Sequence, residues 1–284
     1  MAYFGCQFVF DDIPSWEYGL VIYDLGGANE DGDFATPGTI VEDRISSRYA
    51  PLHYGVNRNE PLKFQLHFGA DPRAVDKREW LDRWEIDAIA SWLTEHDNYK
   101  YLEIYQQDMD VIRYKCIITD LTYSSYGKYP WAFTCEVTCD SPYAYLVPET
   151  YTHTFTASTT GSSLGARYQV RNLASSLYYR PELKIYNMEN VDAISICCDG
   201  DEGHEFKLKN LSGVGTWIKV DNEHEVLTCQ TGINMYDKLD DVPHFFRMVR
   251  GNNIIIITVW PKTKNKQFKV TADFVCEFPI NVGG

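Results

Sequence analysis

Between Gln267 and Phe278 the chain reads QFKVTADFVCEF, with an apolar residue at every second position: Phe268, Val270, Ala272, Phe274, Cys276 and Phe278. A period of two marks a β-strand whose apolar side chains all share one face. A face of that kind has to be covered by another layer, so the segment demands a second sheet or a helix against it. Six further segments of the second half, PELKIYN, DAISICC, HEFKLKN, TWIKV, EVLTC and NIIIITVW, have strand composition and are separated by turn residues. Seven or eight short strands in about 120 residues predict a two-sheet β-sandwich.

The first half is also mostly strand. GLVIYDL (19–25), KFQLHFGA (63–70), YLEIYQQ (101–107), RYKCIITDLTY (113–123) and WAFTCEVTC (131–139) carry strand composition. In the second of these, His67 falls on the polar face with Lys63 and Gln65, so it is expected to be solvated and not to act as a ligand. One helix is expected in DKREWLDRWEIDAIASWLTEH (76–96), capped by Asp76 with Glu79 three residues on, and packed through a stripe of Leu81, Trp84, Ala88, Ile89, Trp92 and Leu93. The fold class that follows is mainly β: an N-terminal sandwich-like domain with one α-helix, then a C-terminal β-sandwich. Residues 146–165, LVPETYTHTFTASTTGSSLG, are rich in Thr, Ser and Gly and are expected to form a strand or loop leading into a linker. This places the domains at 1–148 and 149–284.

Charge separates the two halves. The net charge of the chain is −14; residues 1–148 hold 12 Lys and Arg against 24 Asp and Glu, and residues 149–284 hold 14 against 16. An acidic chain of this kind is not built to grip nucleic acid. The 14% aromatic content, led by 20 tyrosines, suits β-rich architecture and extensive interfaces. The opening MAYFGCQFVFDDIP has no basic leader followed by an apolar core, and the longest apolar run, IIIITVW (254–260), is too short to span a bilayer. No membrane insertion is expected, and the 8 scattered cysteines are expected to be free thiols.

Candidate chemistry is sparse. Cys135 and Cys139 share one face of a strand but lie roughly 13 Å apart along it, too far for one zinc ion or a disulfide. They are expected to be buried thiols. CCDGDEGHEF (197–206) gathers acids beside two cysteines and a histidine; it is expected to be a hairpin turn first, with calcium at Asp199, Asp201 and Glu202 as the lesser reading. ANEDGDFATPG (28–38) offers Asn29, Asp31 and Asp33 without the terminal bidentate Glu of an EF-hand, and is expected to be a solvated acidic loop. Asn210-Leu211-Ser212 matches a glycosylation sequon, an accident of composition in a cytoplasmic product. No phosphate cradle, nucleophile elbow or His-Glu-x-x-His motif is present. The expectation is therefore no catalytic residue, no metal and no cofactor. Trp217 and Trp260 are the candidate platforms for stacking on a glycan or a partner, although core packing is the commoner fate of tryptophan in a strand.

An ordered set of segments in the first 145 residues resembles the N-terminal domain of the distal tail protein (Dit) family of long-tailed bacteriophages. These are FVFDDIPSWEYGLVIYDL, EPLKFQLHFGAD, the helix leading through IASWLTEHDNYKYLEIYQQD, YKCIITDLTY, and FTCEVTCDSPYAY. The resemblance implies a galectin-like β-sandwich for the second domain. It also implies a ring, usually a hexamer, in the virion tail tip, made in the host bacterial cytoplasm. Such a ring joins the tail tube protein to the tail-tip protein, anchors receptor-binding proteins, and lets DNA pass through its lumen without specific binding. The sugar-binding strands of galectins, His-x-Asn-x-Arg and Trp-x-x-Glu-x-Arg, are absent; HFFRMVRGNN (244–253) is the nearest stretch and does not fit. The competing expectation is a carbohydrate-binding module that recognises host cell-wall glycan.

Overall fold

The computed structural model describes residues 7–22, 39–46, 48–57, 60–71, 81–105, 111–157, 164–201, 203–240, 244–263 and 268–281. The chain divides into two compact units: residues 1–147 together with 280–284, and residues 148–279. Each has its own core.

In the first unit the strands are β1 (Gln7–Phe10), β2 (Ile13–Pro14), β3 (Leu20–Ile22), β4 (Thr39–Asp43), β5 (Leu52–Asn57) and β6 (Lys63–Ala70). The helix α1 (Arg83–Thr94) follows, then β7 (Lys100–Tyr105), β8 (Ile112–Tyr126), β9 (Tyr129–Cys139) and β10 (Ala144–Leu146). One antiparallel sheet runs β2-β1-β7-β8-β9-β6-β3, and β10 pairs with the first residues of β8. The alternation in β6 and β9 does what a period of two requires: Phe64, Leu66, Phe68, Phe133, Cys135, Val137 and Cys139 all point into the core. Register pairs Phe68 with Phe133, and their rings stack 5.3 Å apart.

The helix covers this face. Trp92 lies 4.7 Å from the Tyr18 ring and 5.8 Å from Phe8, stacked on both, and its indole Nε1 donates to the Phe10 carbonyl at 3.1 Å. Helix α1 starts later than expected. Asp82 caps it: its carboxylate accepts from Glu85 N at 2.9 Å, while the Glu85 carboxylate accepts from Asp82 N at 2.8 Å. Leu81 N is held by the Pro130 carbonyl at 2.9 Å, so the chain just before Asp82 is bound to β9 and is not in the helix. The Asp76–Glu79 cap lies outside the described residues. Ile89, Trp92 and Leu93 are buried as the stripe predicts, but Trp84 is 80% exposed and Ala88 also faces solvent.

The second unit holds β11 (Glu149–Ala157), β12 (Leu164–Asn172), β13 (Tyr178–Tyr179), β14 (Glu182–Tyr186), β15 (Val191–Cys198) and β16 (Glu205–Leu208). It continues with β17 (Trp217–Asp221), β18 (Val226–Cys229), β19 (Met248–Val249), β20 (Gly251–Pro261) and β21 (Phe268–Cys276); β22 (Pro279–Ile280) is the last strand among the described residues and pairs with β10. Two antiparallel sheets, β11-β21-β14-β17-β18 and β12-β20-β15-β16, share a core. Tyr168 of β12 lies 5.4 Å from Phe274 of β21 across it. Val270, Ala272, Phe274, Cys276 and Phe278 are buried, as their alternation demands, and Phe268 at the start of β21 is half-buried. In the stretch expected to form a strand or loop leading into a linker, residues 149–157 form a strand paired with β21 over nine positions. Thr at every second position, in ETYTHTFTA, is β-branched and suits a pleated surface, so loop-like composition here encodes a strand. Among the described residues no helix is long and apolar enough to cross a membrane.

Candidate functional site

The turn between β15 and β16 carries the CCDGDEGHEF segment, and the structure makes it one wall of a polar cleft in the second unit. Cys198 points inward and is buried, while Cys197 lies on the opposite face and is half-exposed. The Asp199 carboxylate accepts from Ile254 N at 2.8 Å. Asp201 is only 4% exposed, and its carboxylate receives Arg247: Nε donates to both oxygens at 2.9 Å and Nη2 approaches Oδ1 at 2.8 Å. Two of the three carboxylates considered for calcium are thus engaged, Asp199 by a backbone N–H and Asp201 by a cation, and Glu202 lies outside the described residues. Arg247 also lies flat on the Tyr178 ring, 4.0 Å from its centroid.

His204 closes the turn. Its Nδ1 lies 2.9 Å from the Asp201 carbonyl, and 3.3 Å from both an Asp201 carboxylate oxygen and Arg247 Nη2. The His244 ring meets it edge-on, 4.6 Å away. Arg180, Glu225 and Phe245 complete the lining of a cleft of about 140 Å³. Arg180 leads from β13 into β14 and pairs loosely with Glu223 at 3.6 Å; Glu225 sits in the β17–β18 turn.

Three buried asparagines hold the segment that carries Arg247. Asn222 accepts from Phe246 N at 3.0 Å and donates to the Pro181 carbonyl; Asn172 donates to the Met248 carbonyl at 3.2 Å. Asn253 accepts from Val249 N at 3.0 Å and donates to the Val249 carbonyl at 2.7 Å. Residues 246–249 are therefore gripped on both sides of Arg247 by groups that cannot let go without leaving buried polar atoms unpaired. Sequence reasoning missed this cleft, because its side chains come from four separate segments. The nearest signal was an Asn beside charged or apolar residues, as in Asp221-Asn222-Glu223 and Asn253 before IIIITVW.

The two tryptophans are elsewhere. Trp217 lies in β17 and Trp260 in β20, strands of the two different sheets, and each is half-buried on the face opposite to its neighbours Ile218 and Val259, which point into the core. Lys207 Nζ sits 5.3 Å over the Trp260 ring. Neither tryptophan lines the cleft. In the first unit Cys135 and Cys139 are buried, and burial pushes their thiols up to about 12, with Asp140 adding to the effect at Cys139. His67 is half-buried and lies 3.0 Å from Thr134 Oγ1, a cross-strand contact. Among the described residues no three His, Cys, Asp or Glu side chains converge as a metal-binding group. The 28–38 segment lies outside the described residues.

Residues 4–141 match the family described as the phage tail protein N-terminal domain. Among solved structures, that of SPP1 Dit, described as a paradigm of the hub adsorption apparatus in phages infecting Gram-positive hosts, is 14% identical with a TM-score of 0.65. The match covers 96% of this chain and 98% of that one. Two structures of the phage P2 baseplate in its activated conformation, with Ca and with Sr, are 9% and 10% identical at TM-scores of 0.46 and 0.44; in both, 94% of this chain and 97% of that one are covered. No curated protein matches the chain. The first unit is a phage tail protein domain. Over the whole chain the fold is like that of the SPP1 Dit structure.

Proposed function

We propose that this chain forms a closed ring of six copies at the end of the tail tube. There it joins the tube protein to the tail-tip protein, anchors receptor-binding proteins and leaves a lumen for DNA. Its role is structural and not catalytic, and it acts in the virion after synthesis in the host cytoplasm.

The observation that carries this reading is the β4–β5 hairpin. It forms a two-stranded sheet of its own, paired with no other strand among the described residues. Its apolar side chains face water: Ile40 is 60% exposed, Tyr54 66% and Tyr49 entirely. A lone two-stranded hairpin is marginal in water, and its unpaired edges are templates for another strand. A second copy of the chain is the partner such a hairpin suits, and a head-to-tail contact between copies closes into a ring. The acidic balance of the first half supports a lumen that repels the phosphate backbone, so DNA slides through without sticking. A ring whose lumen proved strongly basic would remove that part of the reading.

Light scattering on the eluting full-length chain tests the assembly. The expected mass is six times the chain's 32.7 kDa. Ile40→Lys with Tyr54→Lys is expected to yield monomer with an unchanged melting temperature, because neither side chain belongs to a core. A native chain that stays monomeric at about 100 μM overturns the ring; a ring indifferent to the substitutions overturns the role of the hairpin.

A further inference from the structure

The cleft around Arg247 takes no part in ring formation as proposed above, yet it is built with more care than a surface loop needs. Three buried asparagines fix its floor, a buried carboxylate fixes Arg247, and Tyr178 backs the guanidinium. Its lining is almost wholly polar and mixes hydrogen-bond donors with acceptors. Arg180 and Arg247 can only donate, Glu225 can only accept, and an imidazole such as that of His204 or His244 can do either through its ring nitrogens. That mixture discriminates between ligands. A phosphate or carboxylate would meet Arg180 well, but would also face the Glu225 carboxylate, and the charge of Arg247 is already answered by Asp201. An apolar ligand would strand all of these groups. Vicinal hydroxyls satisfy them together, since each hydroxyl donates one proton and accepts on its lone pairs, and Phe245 offers an apolar surface to the C–H face of a sugar ring. The volume of about 140 Å³ suits a single ring, well short of the roughly 300–1,000 Å³ of drug-sized sites.

We infer that this cleft is a binding site for one neutral sugar residue of a glycan, with Arg180 and Glu225 as the hydroxyl-binding pair on the His204–His244 floor. A site this small and open binds weakly in a single copy, with a dissociation constant on the order of 1 mM. Several copies on one ring would multiply it by avidity, and that clause alone rests on the ring proposed above.

Saturation-transfer difference NMR on the full chain tests the site whatever the oligomeric state. The probes are glucose, galactose and N-acetylglucosamine, with glucuronate and inorganic phosphate as the anionic arms; phosphate is followed by its ³¹P line width. Saturation transfer to at least one neutral sugar is expected, weakened about tenfold or more in apparent affinity by Arg180→Ala and by Glu225→Gln. Both side chains are exposed, so both variants keep the fold, checked by circular dichroism. Absence of transfer to every neutral sugar at about 20 mM, or transfer that survives both substitutions, overturns the site. Binding of phosphate or glucuronate alone overturns the neutral-sugar assignment and makes the cleft an anion site.

Discussion

At the residue scale, the second unit treats its buried polar groups in two ways. The asparagines at 172, 222 and 253 are each less than 3% exposed, and each both donates to and accepts from backbone. Tyr168 is the opposite case. Its hydroxyl is buried with no hydrogen-bond partner among the described residues, and burial drives its ionisation far above the ordinary tyrosine range, with Cys276 adding to the effect. Its ring, by contrast, is well placed, stacked 4.9 Å from His153 and tilted against Phe274. A ring whose hydroxyl is desolvated without compensation should do better without it. Tyr168→Phe is therefore expected to stabilise the second unit by about 1 kcal/mol, read as a rise in its denaturation midpoint at unchanged m-value. A fall in the midpoint would mean that the hydroxyl has a partner.

At the element scale, the legible parts were those in which one face is buried. β6, β9 and β21 could be read because burial on one side writes a period of two into the sequence. β4 and β5 could not: β4 is exposed at all five positions, and a bulge breaks the register between Val41 and Glu42. β11 was half legible: the composition allowed a strand or a loop, and the alternating β-branched threonines favour the strand. The helix was legible in its stripe but not in its start, since DKRE and DRWE both offer an acid followed by Glu at the third position. Tertiary structure decides between them, by tying Leu81 to β9 and burying it. The cleft was illegible for a different reason: no segment holds more than a few of its groups. The helix makes a paired prediction. Asp82→Ala removes one half of the capping box and should cost about 1 kcal/mol. Trp92→Ala removes the side chain that meets Phe8, Phe10 and Tyr18 and donates to the Phe10 carbonyl, and should cost about 3–5 kcal/mol. Equal losses in chemical denaturation would show that helix α1 is held by its end and not by its face.

At the scale of the whole molecule, the division into units does not follow chain order. The last residues, from Ile280 onward, belong to the first unit although the whole second unit precedes them. Ile280 packs against the first core, and its short strand pairs with β10, the element that follows the Cys-Asp-Ser-Pro-Tyr phrase. Two consequences follow from physical chemistry alone. Each unit has its own buried core, so calorimetry should resolve two unfolding transitions where their midpoints differ. The first unit, moreover, is closed by a segment that the chain reaches only after crossing the second, a non-local contact that forms late in synthesis. Ile280→Ser removes apolar area from the first core and adds a hydroxyl in its place, a cost of about 1–2 kcal/mol. For a unit of this size that is a shift of about 2–4 °C. The shift should fall on the first unit's transition and leave the second's in place, even though the substitution lies beside Phe278 in sequence. Tyr168→Phe identifies the transitions independently, because it moves only the second. If Ile280→Ser lowers the transition that Tyr168→Phe raises, the chain end belongs to the second core and the closure of the first unit by its last strand is wrong.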